Sequence, residues 1–408
     1  MTALTITGGT LIRPSAEDTA TGDLHIDGDT IVDTAPADAE SLDASRLCIA
    51  PGIVDLGVFA IDAPGFIAGG ITRAALMPDQ SPVLDQEALV RYAAVSGKPE
   101  LWVHPLAAAT KGLEGRDLAE IGLMQRAGAV AVSTGRKRIA DAGLMHKVLA
   151  YAAALGMIVV TNAEDEGLVG EATATNGETA LRLGLAGAPA IAEAMAIARD
   201  IMLAEDTGGH VHFREVTTAR GFDLIREAKR RGVKVSCGIT PAHLLLCDVD
   251  IGAYRTFARL APPLRSAEDR DAAKAALGDG TIDVICSGHD PRGAEAKRLP
   301  YADAAPGMAG AETLLPLSLI LVREGLVTLP RLFELLSANP ARLLGVPGGS
   351  LEPGAPADIL LFDADKPWKI DSARLAAAAG NTPFDGLPVQ GKAVELLKGG
   401  RRLVNPNG

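Results

Sequence analysis

Pro51-Gly52-Ile53-Val54-Asp55-Leu56-Gly57-Val58-Phe59 is the stretch on which the fold turns. It is the first clear buried strand of the chain, apolar along most of its length but interrupted by Asp55. Short apolar runs of the same kind recur at 71–77, 101–103, 129–132, 157–160, 210–213, 233–236 and 282–286. Between them lie stretches such as 141–155 and 218–231, where apolar residues recur at i, i+3 and i+4, the period of a helix with one buried face. Strand and helix in alternation over this length argue for a parallel sheet. Seven or eight such units fit a closed α/β barrel of the (β/α)8 TIM type better than an open sheet.

The two ends of the chain read differently. Leu4-Thr5-Ile6 leads through Gly8-Gly9 to Thr10-Leu11-Ile12, and Asp27-Gly28 separates two strand-like runs, a hairpin signal. Asp358-Ile359-Leu360-Leu361-Phe362-Asp363 reads as a strand, and Val394-Glu395-Leu396-Leu397-Lys398 as another that ends in Gly399-Gly400. These features predict a small β-sandwich domain built from 1–50 and 346–408, attached to a barrel at 51–345. Gly- and Pro-rich connections fall at 184–189 and 345–354, the second marking the exit from the barrel.

Bulk properties narrow the function classes. A chain of 408 residues suffices for one large domain and one smaller one. With 48% hydrophobic and only 3% aromatic residues, Ala, Leu, Val and Ile must fill the core. A net charge of −12 argues against nucleic acid and anionic membrane as partners. No run of about 18 apolar residues predicts a membrane span. The start, Met1-Thr2-Ala3-Leu4-Thr5-Ile6, has no basic segment followed by an apolar one, so no signal peptide is expected. Cys48, Cys237, Cys247 and Cys286 lack CxxC spacing and read as apolar thiols of a cytoplasmic protein.

A collinear set of motifs covers nearly the whole chain. It includes Gly69-Gly70-Ile71-Thr72, Met77-Pro78-Asp79-Gln80-Ser81-Pro82, Asn162-Ala163-Glu164-Asp165 and Thr240-Pro241-Ala242-His243. Pro262-Pro263-Leu264-Arg265, Gly307-Met308-Ala309-Gly310-Ala311-Glu312-Thr313, Asn339-Pro340-Ala341 and Asn381-Thr382-Pro383-Phe384 extend it. Together these motifs resemble dihydroorotase, the amidohydrolase that cyclises carbamoyl aspartate in pyrimidine synthesis. The resemblance implies a metal that lowers the pKa of bound water to about 7. It also implies three or more His or carboxylate ligands from different strands, and a base.

At the positions where the resemblance places that machinery, this chain has other residues. Gly57 and Phe59 stand in place of the strand-1 histidine pair, and Ile61 in place of the arginine that holds substrate carboxylate. Asp79 replaces an asparagine, Thr134-Gly135 a bridging ligand, Asn162 and Glu215 two metal histidines, and Ala261 an asparagine. Gly288 replaces the catalytic aspartate, and Arg292 the histidine that closes its motif. The short interval between Pro64-Gly65-Phe66 and Gly69-Gly70 predicts a truncated first barrel helix.

Other candidates are open to a sharp and a bland reading. His210 and His212 share a strand face and could converge on a metal, but a structural role is favoured. Asp290 lies two residues beyond the base position, about 6–7 Å along a strand, and a loop or capping role is preferred. His289, Glu215 and Asp55 would form a minimal zinc triplet, with nothing to supply a fourth ligand. Gly307, Met308, Ala309 and Gly310 resemble the family's substrate loop, and a tight packing turn is favoured over a residual anion pocket. Arg214 and Arg292, with His289, complete that possible pocket and would place positive charge where metal once sat, for instance against Glu215.

The expected function is therefore a non-catalytic dihydroorotase-like subunit, without cofactor or metal. The resemblance implies aspartate carbamoyltransferase catalytic chains as its partner, in a homo- and hetero-oligomer. The alternative is an active amidohydrolase, a dihydroorotase or related cyclic amidase, with an altered, metal-poor site. A third reading is a small-molecule sensor that uses the residual pocket.

Overall fold

The stretch that begins at Pro51 becomes the first strand of a nearly closed parallel barrel in a computed structural model describing residues 3–14 and 16–404. Met1 and Thr2, read above for a leader, and 405–408 of the C-terminal segment lie outside the described residues. Five strands precede the barrel: β1 (Leu4–Leu11), β2 (Ala20–Asp27), β3 (Thr30–Val32), β4 (Glu40–Asp43) and β5 (Cys48–Pro51). The barrel starts with β6 (Ile53–Val58), β7 (Ile71–Leu76), β8 (Trp102–Ala108), β9 (Ala131–Ser133) and β10 (Val159–Thr161). After a two-stranded ribbon of β11 (Ala174–Thr175) and β12 (Gly187–Ala188), it ends with β13 (Val211–Phe213), β14 (Val235–Ile239) and β15 (Val284–Ile285). Every pairing between neighbouring barrel strands is parallel.

The first and last barrel strands are joined by contacts around their ends. Asp55 accepts the Ser287 backbone N–H at 2.9 Å, and the Phe59 N–H donates to the His289 carbonyl at 2.9 Å. Val54, Leu56, Ala75, Leu106, Ala131, Val160 and Val284 fill the barrel interior. Neighbours such as Ile53, Ala74, Val132, Val159 and Val211 pack outward against the helices. Burial on both faces is why these strands read as continuous apolar runs rather than alternating ones.

The helices follow from their caps and apolar stripes. Asp141 accepts the Leu144 N–H at the start of helix Ala142–Ala154, which buries Met145, Val148, Leu149 and Ala152. Thr218 accepts the Gly221 N–H at the start of Ala219–Arg230, which buries Phe222, Ile225 and Ala228. Such caps satisfy N–H groups that a helix start leaves without partners. The first barrel helix is short, Ala63–Gly69, capped by Asp62 and ended by left-handed Gly70. One strand outruns its sequence pattern. His104-Pro105 interrupts the apolar run at 103, yet β8 continues to Ala108 because β7 and β9 flank that backbone on its two sides.

β16 (Ile359–Lys369), β17 (Pro388–Lys398) and β18 (Arg401–Leu403) join the N-terminal strands in the order β18-β17-β16-β5-β1-β2-β3, with β4 on β1. The two chain ends thus form one β domain, with its own core of Ile6, Ile26, Ile49, Ile359, Leu361 and Leu397. A buried ion pair, Arg73 Nη2 to Asp358 Oδ2 at 2.6 Å, ties that domain to the barrel. Trp102 Nε1 donates to the same carboxylate at 3.2 Å.

Candidate functional site

The C-terminal mouth of the barrel is built around a backbone irregularity. Leu56 stands opposite Ala75 and Val58 opposite Leu76, so Gly57 is an extra residue in β6. Its φ of +95° lies in the left-handed region that glycine occupies without steric cost. A Cβ there would sit 2.9 Å from Arg214 Cδ. The bulge reverses the inward and outward alternation. Val58 therefore packs toward the helices and Phe59 joins the barrel interior.

Phe59 lies near two guanidinium groups. The Arg136 guanidinium carbon is 3.6 Å from the ring centroid and that of Arg214 is 5.0 Å away. Arg214 follows β13 directly and pairs with Glu215, both buried. Arg136, three residues past β9, donates to Asp290 from both terminal nitrogens, at 2.6 and 2.9 Å. Arg292 donates to the same carboxylate at 2.7 Å. Asp79 accepts the Arg136 backbone N–H at 2.9 Å, and Asn162 Nδ2 donates to the Arg136 carbonyl at 2.6 Å. Three guanidinium groups thus face three carboxylates, Asp79, Glu215 and Asp290.

Burial raises the Glu215 pKa, with the Arg214 charge opposing it. Burial also works against the Arg214 charge, but Glu215, and beyond it Cys286, Asp290 and Asp79, outweigh that, so Arg214 stays cationic. Burial pushes Asp79 up, against the pull of the Arg136 N–H and charge. His243 is pushed down to about 4 by burial and lies between the Thr240 hydroxyl at 2.8 Å and the Pro262 carbonyl at 3.1 Å. The cavity among Phe59, Arg214, Glu215, Asp290, Ala261 and Met308 measures only ≈ 30 Å³. A water needs about 10–15 Å³ on this scale, whereas a small-molecule site occupies about 300–1,000 Å³.

The other sequence-predicted positions fall in and around this cluster. Gly288 (φ +60°) lines the cavity, and a Cβ on it would meet Thr240 Cγ2 at 2.9 Å. Ile61 packs against the main core, away from the cavity wall. Gly307 and Met308 line the cavity, but the Gly307 and Ala309 N–H groups donate to the carbonyls of Arg259 and Asn381. A Cβ on Gly310 would lie 1.9 Å from the Ser287 carbonyl oxygen, which makes this loop a close-packed turn. His210 and His212 both reach the Ser236 hydroxyl, at 3.0 and 2.9 Å.

Two expectations need correction. Asp290 does lie in a loop, beyond β15, but its carboxylate serves ion pairs and not a cap. Backbone curvature beyond β15 brings it over the barrel mouth, where it accepts from Arg136 and Arg292. Arg292 does not reach Glu215 or the cavity wall. It is held outside by Asp290 and by the Pro306 carbonyl at 2.9 Å. Arg136 was not singled out by the motifs. Its only signal was a basic residue just past a strand end, at Thr134-Gly135-Arg136.

These donors do not fit a zinc centre. Asp55 spends both oxygens on the Ser287 N–H and hydroxyl. Glu215 is taken by Arg214. His289 accepts the Ala311 N–H at Nδ1, 3.3 Å away, and turns Nε2 toward Asp62 at 3.5 Å. Among the described residues no three His, Cys, Asp or Glu side chains are grouped so as to hold a metal ion.

Residues 49–220 match a family model described as Dihydro-orotase-like. Over 383 residues, 90% of each chain, the sequence is 41% identical to a protein named dihydroorotase from Pelobacter propionicus. It is 41% identical over 420 residues, 98% of each chain, to a dihydroorotase from Pelotomaculum thermopropionicum. The L-hydantoinase (dihydropyrimidinase) of Arthrobacter aurescens is a similar solved structure, with a TM-score of 0.88 at 25% identity over 99% of this chain and 96% of that one.

Proposed function

Because the chain belongs to the dihydroorotase family, we propose that it is a member that works without turnover, as a metal-free scaffold for aspartate carbamoyltransferase catalytic chains in pyrimidine synthesis. The observation that carries the non-catalytic part is the buried Arg214–Glu215 pair beside Phe59, with Glu215 and Phe59 at positions where the family resemblance puts metal ligands. A cation there would have to displace a guanidinium that is already paired. The partner and the hetero-oligomer rest on the family resemblance alone. A cytoplasmic location is supported by four free thiols. Among the described residues no helix is long and apolar enough to cross a membrane.

One observation favours a second reading, an active amidohydrolase with an altered site. Relatives 38–41% identical over 90% or more of this chain are named dihydroorotase. Two experiments separate the readings. Assayed for dihydroorotate hydrolysis with and without added zinc, the scaffold gives no turnover above buffer, and zinc-dependent turnover supports the enzyme. Mixed with purified aspartate carbamoyltransferase, the scaffold gives one larger species in light scattering. A stable complex buries more than about 1,000 Å² and raises the melting temperature of the assembly. Two independent species at micromolar concentration, with no change in transferase activity, remove the scaffold.

A further inference from the structure

One of several ligand-sized spaces among the described residues is at the seam between barrel and β domain. A cavity of ≈ 690 Å³ opens there, against ≈ 30 Å³ at the barrel mouth, and its size suits a small-molecule site. Trp368 near the end of β16 forms part of its wall. The indole is fixed, because Nε1 donates to the Gly391 carbonyl at 3.0 Å and the ring packs against a buried cluster that includes Ile370, Phe384 and Val389. Lys369, Arg374 and Lys392 line the same cavity.

The wall carries two acids beside its three cations, and each acid accepts a backbone N–H. Glu312 accepts the Ala376 N–H at 2.6 Å, and Asp371 accepts the Ala373 N–H at 3.0 Å. Lys369 and Arg374 form no ion pair with any described residue. A fixed indole beside Lys369 and Arg374, neither in an ion pair with a described residue, is a surface for an anion that carries a flat ring. Rings stack on tryptophan, and a phosphate monoester brings a charge near −2 and three acceptor oxygens to lysine and arginine. We propose that this seam cavity binds a phosphorylated heterocycle of nucleoside monophosphate size, with the ring on Trp368 and the phosphate on Lys369 and Arg374. The site is independent of whether the barrel turns over.

The chain has two tryptophans, and the other, Trp102, sits among Arg73 and Lys398 at the far joint between the domains. Trp368 emission therefore reports on the site. The full-length protein is titrated with uridine and adenosine 5′-monophosphates, and separately with uridine, adenosine and inorganic phosphate, by fluorescence and by equilibrium dialysis. Saturable quenching by a nucleoside monophosphate is expected, with each half binding at least about tenfold more weakly. Lys369→Ala/Arg374→Ala should weaken binding at least about tenfold while leaving the melting temperature unchanged. Trp368→Phe should remove the signal and keep binding in dialysis. The proposal is overturned by no saturable binding of either nucleotide at millimolar concentration. It is equally overturned by phosphate binding as tightly as the nucleotides, or by full affinity in the double variant.

Discussion

Phe59, Arg214 and Glu215 are the residues on which the proposed exchange of metal chemistry for ion pairing rests. The ring contact is favourable by roughly 0.5–1 kcal/mol for the partly exposed Arg136 and by about 2 kcal/mol for buried Arg214. The pair itself is a different matter. Two buried charges cost much of what they return, and removing one leaves the other stranded. Arg214→Met should therefore destabilise the protein by about 3–5 kcal/mol in urea unfolding, while Arg214→Met/Glu215→Leu should recover most of that loss. The pH dependence has a definite sign. Burial already raises Glu215 above its ordinary 4.5, and the single variant removes the opposing charge. The folded state then holds its proton to higher pH than the unfolded chain, so stability is full below 4.5 and falls as pH rises through the folded pKa. Melting curves from pH 4 to 8 should fall more steeply for Arg214→Met than for the parent, and parallel curves would contradict this. Glu215 was legible because it falls at a motif position, and Arg214 because it is the cation next to it in sequence. Arg136 was not, because its partners Phe59, Asp79 and Asp290 are far away in sequence and meet only once the barrel closes.

Among the elements, β6 carries the decisive feature, its bulge at Gly57. Its apolar residues announced a buried strand, and the helix caps Asp141 and Thr218 announced their helices. The bulge was not legible, because register depends on the neighbouring strand and a glycine alone does not reveal a positive φ. On the proposed reading it also makes a ligand at position 57 difficult to restore. Gly57→Ala should cost about 1–3 kcal/mol, from backbone strain and from contact with Arg214. Putting back Gly57→His/Phe59→His should give no dihydroorotate turnover, since the new side chain at 57 meets Arg214 and the remaining ligand positions are still Asn162, Glu215 and Gly288. Turnover from this double variant would show that the bulge relaxes and that a second set of ligands exists.

Over the whole molecule, a dihydroorotase-family barrel and its β domain remain intact around a mouth filled by its own side chains. The domain joint, Arg73 with Asp358 and Trp102, is as fully built as the barrel interior. Alternation of strands and helices made the architecture readable from the sequence, and the departures from the family pattern marked where the resemblance places its chemistry. The seam cavity was not readable, since Trp368, Arg374 and Glu312 come together only when the C-terminal strands fold onto the barrel. The central claim is that ion pairs occupy the place of the metal. Elemental analysis of the purified protein, after incubation with zinc and exhaustive dialysis, tests it most directly. The account predicts far less than one equivalent of any transition metal per chain, because every carboxylate at the mouth already has a guanidinium or backbone partner. Retention of about one or two zinc ions per chain would contradict it.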